Sequence, residues 1–267
     1  MSEPELVVVA DPEEAAAVAA QRIAAALAKS VAEHGRADCA TTGGSAPIRI
    51  YRHLVSEPLR HAVPWEAVHV WWGDDRYVPR DHPLSNVKPL DDILLAIGRT
   101  EEGVGGGTWA GVPLPLENLH PFRTGEAIGG SRGPAWCAAT LAEELRGAGL
   151  AADGGWPVFD LILLGIGADG HLLSVFPGSP AFDSGELALA IPAPTHIEPH
   201  VERVTLNPAV IGVARYDLVV AGGAGKSAIL ADIFGDTEDP RRWPGQLARR
   251  DGATWIVDAA AAASLRG

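Results

Sequence analysis

The sequence contains little cysteine and no zinc-binding pattern. Cys39 and Cys137 are the two cysteines in 267 residues, and neither belongs to a CxxC pair or to a Cys/His cluster with zinc-ligand spacing. A disulfide framework and a structural zinc site are therefore not predicted. The HExxH pattern of zinc hydrolases is missing as well, so the sequence does not indicate metal-assisted hydrolysis of that type.

Positive charge is also scarce. The chain has 21 Lys and Arg against 34 Asp and Glu, which gives a formal net charge of −13. Such a field repels polyanions, so we expect neither nucleic acid nor an anionic membrane as a partner. An anionic small substrate would need Arg, Lys and backbone N–H groups gathered in one place against the overall field.

Long hydrophobic runs are a third absence. No stretch of about 18 uninterrupted apolar residues occurs, so no membrane span is predicted. The first 14 residues are acidic and hold an apolar run of five, which is unlike a secretory signal. With two free thiols, these features predict a cytoplasmic protein.

Short apolar runs instead alternate with helical segments along most of the chain. The runs are continuous rather than alternating, which is typical of parallel strands covered by helices on both faces. Asp11 followed by Pro12 is a favourable helix start. We predict strands at Leu6–Ala10, Cys39–Thr42, Val68–Trp72, Phe159–Ile166, Tyr216–Ala221 and Thr254–Val257, and helices at Pro12–His34, Ala46–Ser56, Leu84–Ile97, Pro134–Arg146, Asn207–Arg215 and Lys226–Phe234.

The alternation predicts a doubly wound α/β fold, with a mostly parallel, Rossmann-like sheet and helices on both faces. We expect one domain over residues 1–267. The glycine- and proline-rich segment 98–133 is predicted to be a surface excursion of that domain, with a domain linker as the alternative. Open α/β sheets bind ligands at the carboxyl ends of their strands, and the motifs below follow predicted strands.

Two glycine-rich turns after strands have the features of phosphate sites. The turn Gly43-Gly44-Ser45 precedes a helix and offers free backbone N–H groups and a hydroxyl. A second turn, GGAGK, ends in Lys226, and Arg203 lies upstream in the segment RVTLN. A tight turn that needs glycine and a surface lysine would explain the same residues, so neither turn alone decides the matter.

Charged residues follow the strand at Val68–Trp72. The order is Asp74, Asp75 and Arg76, at a strand end where an α/β sheet binds ligands. Arg76 could hold an anionic or carbonyl oxygen while one of the two carboxylates orients it. For an isolated Asp-Asp-Arg, a surface ion pair that caps the strand is the simpler explanation.

The segment Gly165–Gly178 places a histidine among glycines directly after a predicted strand. His171 suits general base catalysis because imidazole titrates near neutral pH, and Asp169 lies two residues before it. A solvent-facing loop histidine is the alternative, which the flanking glycines and Asp169 disfavour. The segment also matches the GxGxxG nucleotide fingerprint, but Pro177 and Pro180 interrupt the long helix that such a site needs.

Together and in this order, the four segments resemble the 6-phosphogluconolactonase group of the glucosamine-6-phosphate isomerase/6-phosphogluconolactonase family. The similarity extends from about Val7 to Phe234. Its motifs are TTGGSAP, WWGDDRYVP with Ser85 and Asn86, LLGIGADGHLLSVFPGS, and RVTLN with GGAGK. Four motifs in register indicate the family, although each motif alone is weak.

Two positions separate this chain from the glucosamine-6-phosphate deaminases, which share several of these turns. Deaminases carry a glutamate five residues beyond the DGH histidine, where this chain has Phe176, and a tyrosine after the paired carboxylates, where it has Arg76. The chain also departs from the lactonase pattern. Threonine is common in the family at the positions of Ala46, Leu172 and Asn207, and glutamate at the position of Asp75. Ala46 removes one hydroxyl from the predicted phosphate turn.

The resemblance implies hydrolysis of a sugar-phosphate lactone without a metal or organic cofactor, by a monomer or, as the alternative, a dimer. It implies that Gly43, Gly44, Ser45, Arg203 and Lys226 bind the substrate phosphate. His171 would then act as a base on water, Arg76 would stabilise the oxyanion, and Asp169 or Asp74 would orient these groups. A non-catalytic sugar-phosphate sensor is the competing interpretation, but such regulators carry a DNA-binding segment and this acidic chain shows no basic helix-turn-helix.

Overall fold

The computed structural model describes residues 3–96 and 111–265, together with the backbone of 101–102 and 108–109. Its strands are β1 Glu5–Val9, β2 Ala37–Thr41, β3 Val68–Trp72, β4 Asp74–Arg76, β5 Glu101–Glu102, β6 Thr108–Trp109, β7 Leu119–His120, β8 Ala152–Asp153, β9 Trp156–Pro157, β10 Leu161–Gly165, β11 Ala188–Ile191, β12 Arg203–Leu206, β13 Asp217–Ala221 and β14 Ala253–Asp258. Its α-helices are α1 Pro12–His34, α2 Ser45–Leu54, α3 Leu59–Ala62, α4 Thr124–Gly129, α5 Pro134–Gly147, α6 Ala209–Val213 and α7 Ser227–Ile233.

A seven-stranded sheet forms the centre of the molecule. Its order is β1-β14-β13-β10-β2-β3-β7, and all six neighbouring pairs run parallel. Every strand predicted from an apolar run lies in this sheet, and helices occupy the crossovers. The predicted doubly wound α/β fold is therefore confirmed.

Helix α1 shows how local sequence sets an element. The Asp11 carboxylate accepts hydrogen bonds from the N–H groups of Glu13 and Glu14, and Gly35 ends the helix in the left-handed conformation at φ 81°. Its alanine, isoleucine and leucine face is buried. Among the described residues α1 is the one helix long and apolar enough to span a membrane, a test that buried core helices of soluble proteins also pass.

A second, antiparallel sheet was not predicted. It has the order β11-β12-β4, and it pairs Arg203 with Arg76 and Thr205 with Asp74. Its strands hold three or four residues each, too few for a hydrophobic period to show. This sheet brings two segments that are far apart in sequence, the Asp-Asp-Arg motif and the RVTLN motif, side by side.

The helix predicted at Leu84–Ile97 begins later than predicted: residues 88–95 are helical, residues 84–87 are not, and Ile97 lies outside the described residues. Most of this helix is the π-helix Leu90–Leu95, and Ala96 follows it in the left-handed conformation at φ 43°. Residues 84–87 turn instead, and the backbone N–H and side-chain amide of Asn86 bond to the strand end at Asp75 and Asp74. The local pattern was apolar enough for a helix, but the competing polar contacts outweigh that preference.

The glycine- and proline-rich segment 98–133 lies partly outside the described residues, at 98–100, 103–107 and 110. Its described part includes β7, which pairs with β3 at the edge of the central sheet, and α4. The division of the chain into one domain with a surface excursion stays a prediction.

Candidate active site

A cleft of about 300 Å³ lies at the carboxyl ends of β2, β10 and β13. Open α/β sheets place their ligand sites there. The cleft brings together residues from all four sequence motifs. Its lining includes the predicted site residues Gly43, Gly44, Ser45, Asp74, Arg76, His171, Arg203 and Lys226. Asp169, the remaining predicted site residue, contacts the cleft through His171.

The turn after β2 opens the N-terminus of α2 toward this cleft. Gly44 stands at the N-cap with φ 107°, and no side chain caps the helix, so its first N–H groups are free to bind an anion. Gly43 is required for a different reason. A Cβ there would lie 1.7 Å from Oδ1 of Asn86, so glycine alone lets Asn86 approach the turn.

Asn86 anchors the guanidinium of Arg76. Arg76 Nη1 donates to Asn86 Oδ1 and to the carbonyl oxygen of Leu84, both at 2.8 Å. Asn86 Nδ2 donates in turn to the carbonyl of Asp74 at 2.9 Å and to its carboxylate at 3.1 Å. The Nε of Arg76 is buried and has no partner within the described part of the chain. Asp74 therefore reaches Arg76 by way of Asn86.

The two carboxylates of the Asp-Asp-Arg motif have different surroundings. Asp75 is 0% exposed and accepts hydrogen bonds from the backbone N–H groups of Arg76 and Asn86 and from the Ser85 hydroxyl. Burial raises the pKa of Asp75 to about 7. Asp74 lines the cleft, where it accepts a hydrogen bond from the Ser174 hydroxyl at 2.6 Å. Asp75 thus supports the strand end from within, whereas Asp74 lies beside the cleft.

His171 and Asp169 form a close pair at the end of β10. His171 Nδ1 lies 2.5 Å from Asp169 Oδ1, which also accepts the backbone N–H of His171 at 3.2 Å. Burial acts to raise the pKa of Asp169, but hydrogen bonds from His171 and His196 outweigh it and hold that pKa below its ordinary value. A Cβ at Gly167 would lie 2.0 Å from His171 Nδ1, so the glycine is needed for the imidazole to fold back onto Asp169.

Three cationic side chains line the cleft of this acidic protein: Arg76, Arg203 and Lys226. Arg203 donates from Nε and Nη2 to the carbonyls of Val201 and Pro199, and burial together with the nearby Arg76 lowers its pKa. Burial also lowers the pKa of Lys226. An anion in the cleft would compensate these crowded, partly desolvated charges.

Comparison with known proteins decides the family. The family model described as glucosamine-6-phosphate isomerases/6-phosphogluconolactonase matches residues 10–256. The chain belongs to this family. The resemblance drawn from the four motifs is therefore confirmed.

Several relatives of this chain are named 6-phosphogluconolactonase. The chain is 33% identical over 241 residues to a 6-phosphogluconolactonase from Synechocystis sp., covering 90% of this chain and 89% of the relative. It is 32% identical over 251 residues to one from Mycobacterium tuberculosis, covering 93% of both. A 6-phosphogluconolactonase structure from Trypanosoma brucei matches with a TM-score of 0.82 at 28% identity over the full length of both chains. A monomeric glucosamine-6-phosphate deaminase at 15% identity shares the fold, with a TM-score of 0.75.

Some site features of this family member were not found from the sequence. The motif that contains Asn86 indicates no role for its side chain, and no sequence pattern indicates the contacts of His196 and Ser174. His196 lies 27 residues from Asp169 in a loop without a motif, so no spacing could indicate the contact. Leu173, which lines the cleft, adopts a left-handed backbone at φ 54°, a conformation that costs a leucine about 1–3 kcal/mol.

The GxSxG pattern of serine hydrolases occurs once in the sequence, as GGSRG at residues 129–133. A nucleophile elbow needs its serine on a sharp turn between a strand and a helix. Ser131 instead lies exposed in the connection between α4 and α5, with φ 53°. The pattern therefore belongs to a helix–helix connection, and Ser131 does not line the cleft.

Proposed function

We propose that this chain hydrolyses 6-phospho-D-glucono-1,5-lactone to 6-phosphogluconate, the second step of the oxidative pentose phosphate pathway. The observation that carries the proposal is the Asp169–His171 pair in a cleft with three cations, in a chain 33% identical to a named 6-phosphogluconolactonase. An imidazole base, a cation for an oxyanion and a site for a phosphate are the three functions that this reaction needs.

His171 is the proposed base. Asp169 occupies Nδ1, which places the proton of the neutral imidazole on that nitrogen and leaves the lone pair of Nε2 available. His171 Nε2 would take a proton from water as the water oxygen attacks the lactone carbonyl carbon. When the tetrahedral intermediate collapses, the bond to the ring oxygen breaks and the imidazolium returns its proton to that oxygen. The products are a carboxylic acid and a hydroxyl, and no other reactant is consumed.

Arg76 is the proposed oxyanion partner. Asn86 and the Leu84 carbonyl hold its Nη1, so the guanidinium is oriented before the substrate binds. Donors that are fixed in advance stabilise a developing charge without reorganising. Asp74, which is tied to Asn86 and Ser174, would keep this group in place.

The substrate phosphate is assigned to the N-terminus of α2 together with Arg203 and Lys226. Free N–H groups at Gly44 and Ser45 and two cations supply donors and charge of the required sign. This phosphate grip, formed by the N-terminus of α2 with Arg203 and Lys226, acts at short range. It offsets the repulsion of anions by the net charge of −13 at longer range.

Phe176 argues against deamination. Its ring centroid lies 4.7 Å from that of His171, at the position where the deaminase resemblance calls for a glutamate. An aromatic ring cannot carry the proton that ring opening of an amino sugar requires. Lactone hydrolysis needs no second acid at that position.

The test is a rate assay with 6-phosphogluconolactone, corrected for spontaneous hydrolysis, with glucosamine 6-phosphate as the comparison substrate. We expect turnover of the lactone well above background and none of the amino sugar. Arg76→Ala should reduce lactone turnover at least about 100-fold while the far-ultraviolet circular dichroism stays native. Lactone hydrolysis at the background rate would refute the proposal.

The proposal includes a cytoplasmic monomer that acts on a small sugar phosphate and binds neither nucleic acid nor membranes. Both cysteines are buried and unpaired, which suits a reducing compartment. Light scattering of the purified protein distinguishes the monomer from the alternative dimer.

A further inference from the structure

The segment between β11 and β12 brings a second histidine into contact with the Asp169–His171 pair. His196 Nε2 lies 2.8 Å from Asp169 Oδ2, and 52% of the His196 side chain is exposed. Because the acceptor is a carboxylate, Nε2 of His196 is the donor. Asp169 therefore lies between two imidazoles, with His171 on Oδ1 and His196 on Oδ2.

Two donors on opposite oxygens fix a carboxylate more closely than one donor does. Without His196, Asp169 would keep two hydrogen bonds from His171, but both reach Oδ1 and leave Oδ2 unbound. The bond from His196 to Oδ2 adds a restraint on the plane of the carboxylate. Phe176 adds a contact between the same rings. Its centroid is 4.7 Å from that of His171 and 5.6 Å from that of His196, edge to face in the second case.

The same segment also supports the cationic side of the cleft. The carbonyls of Pro199 and Val201 accept hydrogen bonds from Arg203 at 3.0 and 3.2 Å. One stretch of chain thus contacts Asp169 at one point and holds Arg203 at another. The connection links the proposed base, which follows β10 of the central sheet, to Arg203, which lies in the antiparallel sheet.

We propose that His196 is a positioning residue for the hydrolysis: it holds Asp169 in the orientation in which that carboxylate fixes the imidazole of His171. His196 does not line the cleft, so it acts on the reaction through Asp169 and not by contact with substrate. The inference rests on the proposed function, because it assigns a role within that reaction.

Three variants separate the hydrogen bond from the ring contact. His196→Ala removes both, His196→Phe keeps a ring beside Phe176 without a donor, and His196→Gln keeps a donor at a similar reach without the ring. We expect Ala and Phe to lower kcat about three- to tenfold with KM within about twofold. This loss is smaller than is usual for a hydrogen bond to a charged group, because His196 is half exposed. His196→Gln should recover most of kcat.

The control is Thr195→Ala, a change at the exposed neighbouring residue of the same segment, which should leave both constants unchanged. A substrate-free readout is the downfield proton resonance of the imidazole N–H between His171 and Asp169. We expect it to shift or broaden in His196→Ala and His196→Phe, and to stay in place in Thr195→Ala.

The outcomes keep the two proposals apart. If the wild-type protein hydrolyses the lactone no faster than the spontaneous reaction, both the proposed function and this inference are refuted. Wild-type turnover above background, with His196→Ala and His196→Phe equal to wild type, would overturn the inference alone. A loss of kcat that His196→Gln does not recover, in step with a fall in Tm, would make the role of His196 structural and would also overturn the inference.

Discussion

Gly43→Ala should damage the site from a position that need not touch the reacting atoms. The added methyl group would lie 1.7 Å from Asn86 Oδ1 and 2.3 Å from its Cγ, well inside van der Waals contact. Asn86 must therefore move. That amide accepts from Arg76 at 2.8 Å and donates to Asp74 at 2.9 and 3.1 Å, so the movement breaks or strains all three hydrogen bonds.

The expected cost follows from those contacts. At about 1 kcal/mol net for each of the three hydrogen bonds, the free energy of unfolding falls by about 3 kcal/mol. For a chain of this size, a loss of that order lowers Tm by roughly 6–12 °C. Arg76 also loses one of the two acceptors on its Nη1, so kcat should drop at least about tenfold.

The assay compares thermal unfolding and lactone turnover of Gly43→Ala with those of Gly185→Ala. Gly185 has open space where its Cβ would be built, and its backbone is not left-handed, so alanine there should change neither property. A Gly43→Ala protein with wild-type Tm and wild-type kcat would refute the packing of Asn86 against the turn and the anchoring of Arg76 that depends on it.

Three further changes test other parts of the site. Asp169→Asn should lower kcat about 100-fold or more in steady-state assays with little change in KM, because the amide cannot hold Nδ1–H of His171 as a carboxylate does, and an unchanged kcat would count against the pair. Lys226→Ala should raise KM for the lactone about tenfold and affect kcat less, since one charge-assisted hydrogen bond to the phosphate is lost. A larger effect on kcat than on KM would contradict the assignment of Lys226 to phosphate binding. Burial raises the pKa of Asp75 from 3.8 to about 7, so the stability contributed by its neutral form is complete below pH 3.8 and is lost as pH rises through 7. Thermal unfolding at pH 5 and pH 8 tests this: Tm should be higher at pH 5, and the difference between the two Tm values should be smaller in Asp75→Asn than in wild type. An equal or larger difference in Asp75→Asn would contradict the raised pKa of Asp75.

The central sheet could be predicted because its strands are buried on both faces. Continuous apolar runs such as Leu161–Leu164 are typical of that environment. Asp11 with Pro12 marks the start of α1 through capping chemistry that acts within four residues. The carboxyl ends of parallel strands then meet at one edge, so the motifs that follow β2 and β10 had to converge. Topology alone therefore explains why most predicted site residues share a cleft.

The antiparallel sheet and the contacts across it could not be predicted. The pairing of Arg76 with Arg203 joins residues more than a hundred positions apart through strands of three or four residues, and no local period signals it. Asn86 lay within a segment predicted to be helical, where its side chain would have had no reason to meet Gly43. Tertiary hydrogen bonds outweighed helix preference in that segment, and sequence alone does not reveal those partners.

The claim that His171 is the base is tested most directly by chemical rescue. His171→Ala should fold as wild type does and hydrolyse 6-phosphogluconolactone at a rate close to the spontaneous one, because the proposed base is removed. Added imidazole should restore part of the lost turnover in proportion to its concentration, and it should leave the rate of Arg76→Ala unchanged beyond its effect on free lactone. Near wild-type turnover by His171→Ala without imidazole would contradict the account.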